Sequence, residues 1–185
     1  MKLSNIENQA ARKSREEIAA AYKSPPWWYD LRGFFILTFS YNSTLWHQIS
    51  FFSKNIGRHH LEIACGSGTL LDLILKWRKI SGIDSKGGPG EIVAIDYAEA
   101  MLAGAIRRFR NKKNITILHE DAANLPMEEA SFDTANIINS FHSIPDIKGA
   151  LEEAHRVLKD NGTLAMNILM YPDTTTLFGR LANRI

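Results

Sequence analysis

The sequence has one cysteine, Cys65, in 185 residues. A lone thiol excludes an intramolecular disulfide and a zinc site built from several cysteines. Charge of neither sign is in excess, because 22 Lys and Arg stand against 20 Asp and Glu, a net of +2. No strongly charged partner is implied, and nucleic acid is not expected. The stretch MKLSNIENQAARKSREE has no apolar core, so it does not read as a signal peptide, and the cytoplasm is the expected location. Internal repeats and low-complexity tracts are missing. The most apolar stretch, Leu31 to Phe52, is broken by Asn42, Ser43, His47 and Gln48, which argues against a membrane-spanning helix. Burial over the core or over a ligand is its expected use.

What is present suits one domain with a core of its own. Hydrophobic residues are 45% and charged residues 23%, ordinary values for a soluble globular chain. Residues 5–23 carry good helix formers and few breakers, and Ser24-Pro25-Pro26 ends that pattern. The aromatic cluster Trp27-Trp28-Tyr29 follows. We read residues 1–57 as an amino-terminal helical extension and residues 58–185 as the main domain.

From His59 onward, strand and helix patterns alternate. Strands are expected at 60–64, 91–95, 114–119, 132–138 and 163–169. Helices are expected at 69–79, 98–110 and from Asp146, a natural N-cap, to Lys159. The surplus between Ile80 and Gly90 reads as a surface loop, and Asn161-Gly162 reads as the turn into the fifth strand. Such alternation means an α/β fold, a parallel sheet covered on both faces.

The chemistry concentrates in LEIACGSGTL, Leu61 to Leu70. A carboxylate, Glu62, lies inside a strand, and Gly66 and Gly68 follow it. Glycines at the carboxyl end of a parallel strand let a ligand lie on the backbone. Two readings compete. A dinucleotide fold wants a third glycine where Leu71 stands. The alternative is an acid followed by x-G/A-x-G-x-G, here Glu62-Ile63-Ala64-Cys65-Gly66-Ser67-Gly68.

That second pattern resembles the first motif of class I S-adenosylmethionine-dependent methyltransferases. The resemblance continues in order through IVAIDYAEAML (92–102), HEDAANLP (119–126), FDTANIINSFHSIPD (132–146) and LEEAHRVLKDNGTLAM (151–166). It is greatest toward the branch that includes ubiquinone and menaquinone biosynthesis enzymes. It implies a Rossmann-like sheet of order 3-2-1-4-5-7-6, of which this chain lacks the last two strands, and S-adenosyl-L-methionine as cofactor. It implies that Asp96 accepts the ribose hydroxyls and that Tyr97 and Met101 flank the adenine. Asp121 would take the adenine amino group and the Ala122 N–H a ring nitrogen. Glu62, Ala64, Gly66, Ser67, Gly68 and Asn139 complete the implied cofactor set. No metal is required. One departure is the spacing from Gly68 to Asp96, longer than the roughly twenty residues usual in such folds.

Each residue also has a plainer use. Asp96 could cap a helix, Asp121 could cap a turn, and Cys65 reads as a small buried loop residue. His142 is the candidate general base for an acceptor that needs deprotonation; packing is its alternative. Arg107, Arg108, Arg110, Lys112 and Lys113 read as a solvated face at a helix carboxyl end. The aromatics Tyr22, Trp27, Trp28, Tyr29 and Phe34 would line an acceptor pocket or simply pack. The implied reaction is methyl transfer to a small molecule, an in-line displacement in which positioning supplies about 7–11 kcal/mol of the barrier. The rival is a module that binds the cofactor without catalysis, and a nicotinamide-dependent oxidoreductase comes third. Bulk at Gly66 or Gly68 is expected to block the cofactor and leave the core intact. The fifth strand is expected to form an apolar edge, so that either these residues are expected to be a fragment of a longer chain or the edge is expected to be covered by a partner or a second copy.

Overall fold

The computed structural model describes residues 44–168, together with Glu17, Trp27 and Leu31. The elements run α1 (Leu45–Phe52), β1 (His59–Ile63), α2 (Thr69–Ile80), β2 (Glu91–Asp96), α3 (Glu99–Phe109), β3 (Ile115–His119), β4 (Phe132–Ile137), α4 (Ile147–Val157) and β5 (Leu158–Met166). Short 3-10 turns occupy Ile83–Lys86 and Phe141–Ser143. Among the described residues the strands form one sheet of order β3-β2-β1-β4-β5, and all pairs are parallel.

The order follows from what each strand buries. Four of the five residues of β1 are buried, which a strand reaches only at the centre of a sheet covered on both faces. Leu61 and Ile63 face one layer, where they join Ile95, Ala135, Ile137 and the Ala150, Ala154 and Val157 stripe of α4. That stripe has i, i+4, i+7 spacing, one face of a helix. The opposite layer holds Ile49 and Phe52 of α1, Leu71 and Ile74 of α2, and Ala105 and Phe109 of α3 against Ile92 and Ala94. Asp146 caps α4 as expected, accepting from the Gly149 N–H at 3.2 Å.

The fifth strand corrects the sequence reading. Its pairing begins at Leu158, opposite Phe132, directly after α4; Thr163 then pairs with Thr134. Three extra residues therefore bulge out of β5. The expected Asn161-Gly162 turn lies inside that bulge, where a Cβ on Gly162 would stand 2.9 Å from the Lys159 carbonyl oxygen. Lys159 Nζ closes the bulge on Asp133 Oδ1 at 2.6 Å, and Asp133 Oδ2 accepts the His59 N–H at 2.8 Å. Asp133 thus joins β1, β4 and β5 at their amino ends.

The loop at 81–90 is mostly exposed, as expected, yet it is anchored. Arg78, buried on α2, pairs with Asp84 at 2.7 Å and donates to the Ser53 carbonyl oxygen. No helix among the described residues is long and apolar enough to cross a membrane. Tyr22, Trp28, Tyr29 and Phe34, the rest of the proposed acceptor pocket, lie outside the described residues, as does everything after residue 168. Trp27 is exposed. Within the described residues β5 is one edge of the sheet.

Candidate functional site

The loop that follows β1 leaves the sheet through three left-handed residues, Ala64, Gly66 and Gly68, with φ of +56°, +55° and +72°. Such a path turns backbone N–H groups outward and suits glycine best. It is held from β2. Cys65 N–H donates to the Ile95 carbonyl oxygen at 2.9 Å, and Gly66 N–H donates to Asp96 Oδ2 at 2.7 Å. The other carboxylate oxygen of Asp96 accepts the Ala98 N–H at 2.8 Å. Asp96 therefore does more than precede α3: it joins the loop after β1 to the start of that helix, whose N-cap is Ala98. Burial pushes the Asp96 carboxyl above its ordinary value, with the Ala98 and Gly66 N–H groups opposing that shift.

The two glycines differ in what surrounds them. A Cβ on Gly66 would meet, among the described residues, only Met101 Cε at 3.7 Å, an ordinary contact. A Cβ on Gly68 would stand 2.6 Å from Phe109 Cε2 and 3.4 Å from Ala105 Cβ. Phe109 is buried in the core and cannot yield. Gly68 thus lets α3 pack close, and the expectation that bulk there would leave the core intact is corrected. Among the described residues Gly66 has an open face.

The other sequence-selected residues gather around the same strand ends. Met101 is buried under Gly66, whereas Tyr97 is exposed and its ring lies 5.7 Å from that of His119. His119 Nε2 donates to the Tyr97 carbonyl oxygen at 2.8 Å, which fixes that loop against the end of β3. Asp121 opens a turn, accepting the Ala123 N–H at 3.0 Å, and Ala122 is buried beside it. Ser67 is buried, and its hydroxyl meets that of Thr69 at 2.9 Å. Cys65 is the small enclosed residue expected. Burial, then the Asp96 and Glu62 carboxylates, push its thiol well above the ordinary range, which disfavours the thiolate.

After β4 the chain passes beside the glycine loop: Ser140 Oγ lies 3.2 Å from the Ala64 carbonyl oxygen. His142 follows, exposed in its 3-10 turn. Asn139 has φ of +56° and its polar groups are engaged. Its N–H donates to Asn167 Oδ1 at 2.7 Å, its side-chain oxygen accepts from Asn167, and its Nδ2 donates to Gln48 Oε1 at 2.8 Å. Asn139 thereby joins α1 to the end of β5.

Glu62 lies beneath the loop, only 3% exposed. Its Oε2 accepts from His60 Nε2 at 3.2 Å and from Asn136 Nδ2 at 3.4 Å. His60 and Asn136 were not singled out from sequence. His60 could have been, because residues two apart on a strand share a face. Asn136 could not, because its place opposite Glu62 is a matter of register. Arg108 is exposed, as expected of the solvated face, but its guanidinium also makes contacts that the sequence did not suggest. It reaches Thr69 Oγ1 at 2.6 Å and the Ser67 carbonyl oxygen at 3.3 Å, and it lies 3.6 Å from Asp72. Arg107, Arg110, Lys112 and Lys113 are exposed as expected. Among the described residues no group of three His, Cys, Asp or Glu is arranged to hold a metal ion. A separate groove of about 500 Å³, lined in part by Lys79, Gly88, Lys112 and Asn114, lies at the amino ends of β2 and β3, away from this loop.

Comparison with known proteins agrees with this geometry. Residues 61–166 match a family model described as a methyltransferase domain. A demethylmenaquinone methyltransferase of Staphylococcus epidermidis is 32% identical over 116 residues, 63% of this chain and 45% of that protein. The Staphylococcus saprophyticus enzyme of the same name is 30% identical over 141 residues, 75% of this chain and 57% of that one. The chain thus spans about half the length of these curated relatives. A SAM dependent methyltransferase from Aquifex aeolicus shares the fold, with a TM-score of 0.57 at 23% identity over 77% of this chain and 71% of that one.

Proposed function

Because this chain belongs to the methyltransferase domain family, we propose that it binds S-adenosylmethionine at the carboxyl ends of β1 and β2 and transfers the methyl group to a small-molecule acceptor. The observation that carries the reading is the joint between Gly66 and Asp96. A loop whose Gly66 face is open among the described residues is held 2.7 Å from a half-buried carboxylate at the end of the neighbouring strand. That donor set suits a ligand with a diol, an aromatic base and a charged amino acid tail, and no phosphate.

The cofactor supplies a methyl carbon already activated by a sulfonium. The chain's own residues hold and orient. A carboxylate accepts up to four hydrogen bonds, and Asp96 receives two from backbone N–H groups, which leaves capacity for ribose hydroxyls. Tyr97 and Met101 would flank the base, and Asp121 and the Ala122 N–H would read its edge. Gly66 and its neighbours would carry the tail. Alignment is then the main catalytic contribution. His142, exposed after β4, would take a proton from an acceptor that must lose one. The names of the relatives make demethylmenaquinone the acceptor to try first.

The test is binding followed by transfer. Calorimetry should show S-adenosylhomocysteine binding, and labelled S-adenosylmethionine should pass its methyl group to a demethylmenaquinone analogue. An absence of S-adenosylhomocysteine binding would defeat the assignment. Binding without transfer to any of a panel of small acceptors would leave a cofactor-binding module.

A further inference from the structure

Resting on that cofactor reading, we propose that His60 is a positioning residue, the middle of a directed hydrogen-bond chain that aims the Glu62 carboxylate at the amino group of the cofactor's tail. The chain starts outside β1. Gly57 N–H donates to Thr134 Oγ1 at 2.8 Å. That hydroxyl lies 2.8 Å from His60 Nδ1, and His60 Nε2 lies 3.2 Å from Glu62 Oε2. The Glu62 carboxylate can only accept, so the ring proton sits on Nε2 and is donated to Oε2. In the neutral ring Nδ1 is then an acceptor, and the Thr134 hydroxyl donates to it while accepting from the Gly57 N–H. Every donor has an acceptor in this arrangement, and the imidazole need carry no charge.

The same oxygen of Glu62 also takes the Asn136 amide, and Asn55 Nδ2 in turn holds Asn136 Oδ1 at 2.9 Å. Among the described residues both hydrogen bonds therefore fall on Oε2 and none on Oε1. Among the described residues no buried side-chain nitrogen or oxygen lacks a partner. Oε1 is thus the oxygen left with some accessibility in a residue that is only 3% exposed, one residue before the end of β1. An acid needed only for packing has no reason to have one oxygen doubly held and the other left available. An ammonium group approaching along the glycine loop is the ligand that this oxygen fits.

Two ligands separate positioning from simple support. S-adenosylhomocysteine carries the amino acid tail, and 5′-methylthioadenosine has the same nucleoside without it. His60→Phe should weaken S-adenosylhomocysteine about tenfold or more, the worth of one hydrogen bond to a charged group. It should leave methylthioadenosine binding within about twofold. His60→Gln, whose amide still donates to Glu62, should recover most of the loss. Thr134→Val removes the hydroxyl and keeps the imidazole, so it carries the test if His60→Phe fails to fold, with the same selective loss expected. Equal losses for both ligands, or no loss for either, would overturn the proposal while the cofactor reading stands. A wild-type chain that binds neither ligand would defeat both.

Discussion

Gly66 and Gly68 offer a test in which two similar substitutions should fail in different ways. Both residues have positive φ, so alanine at either place incurs the left-handed penalty of about 1–2 kcal/mol. At Gly66 little is added, because the new Cβ meets Met101 Cε at 3.7 Å and no other described atom within 4 Å. At Gly68 the new Cβ lies 2.6 Å from Phe109 Cε2. Relieving that overlap inside a packed core adds about 1–3 kcal/mol, for a total of about 2–5 kcal/mol. With a urea m-value of about 2 kcal/mol/M, Gly68→Ala should lower the unfolding midpoint by about 1–2.5 M and Gly66→Ala by about 0.5–1 M. Binding should rank the other way. Gly66→Ala places a methyl group where the ligand would lie and should weaken S-adenosylhomocysteine by tenfold or more under conditions where the variant is fully folded. Urea titration followed by circular dichroism, with calorimetry on the folded protein, reads both quantities. Equal midpoints would refute the packing role of Gly68. Normal ligand affinity in Gly66→Ala would refute the open face of Gly66 as the cofactor's seat.

Asp96→Ala should weaken S-adenosylhomocysteine well over tenfold in calorimetry, because two hydrogen bonds to a charged group are worth about 1.5–3 kcal/mol each; unchanged affinity removes Asp96 from the site. Since burial raises the Asp96 carboxyl, wild-type affinity should fall as the pH drops through that raised value, above the ordinary 3.8. For folding the sign is that of a buried acid: its contribution is full below 3.8 and diminishes as the pH rises through the raised value. Glu153 is the opposite case, held below its ordinary 4.5 first by the hydrogen bond from Arg156. Its contribution is present above 4.5 and lost as the pH falls through the lowered value, so Glu153→Gln should flatten the acid limb of a stability–pH profile; an unchanged limb would show the pair to be inert. Asn139→Ala removes two side-chain hydrogen bonds, to Gln48 and from Asn167, and keeps the backbone one, and it should cost about 1–3 kcal/mol in thermal or urea unfolding; a smaller cost would show that α1 is held elsewhere.

Much of the fold was legible because its signals are local. The Asp146 cap and the glycine loop each sit within a few residues of what they control. The start of β5 was not legible, because the Phe132–Leu158 pairing continues a strand directly from the last turn of α4, and no sequence break marks it. A packing constraint on Gly68 comes from Phe109, 41 residues away, so a reading of the loop alone could not see it. The contacts of Arg108, an exposed residue, were missed for a related reason. Its neighbours in sequence face solvent, while its guanidinium turns back to Thr69 on another helix. Residues that chain order brings together were read correctly more often than those that sheet register brings together.

The two faces of the sheet show why the polar row beneath the glycine loop is there. Toward α4, β1 presents Leu61 and Ile63 to Ala135 and Ile137, a wholly apolar contact. On the other face, register sets His60 beside Thr134 and Glu62 beside Asn136. His60 and Asn136 are fully buried and Glu62 nearly so. A hydrogen bond in such a place contributes about 0.5–1.5 kcal/mol net, while an orphaned group costs about 1–3. Replacing all the partners together by apolar side chains of similar shape is nearly neutral or stabilising. Stability alone would therefore favour an apolar row here, as on the face toward α4. The polar row is kept from leaving orphaned groups by Asn55 and Gly57, from the segment joining α1 to β1, which complete its hydrogen bonds. That segment thereby couples α1 to the orientation of Glu62. A chain that needed only a sheet had no use for this arrangement; one that must hold a single carboxylate oxygen toward a cationic ligand does.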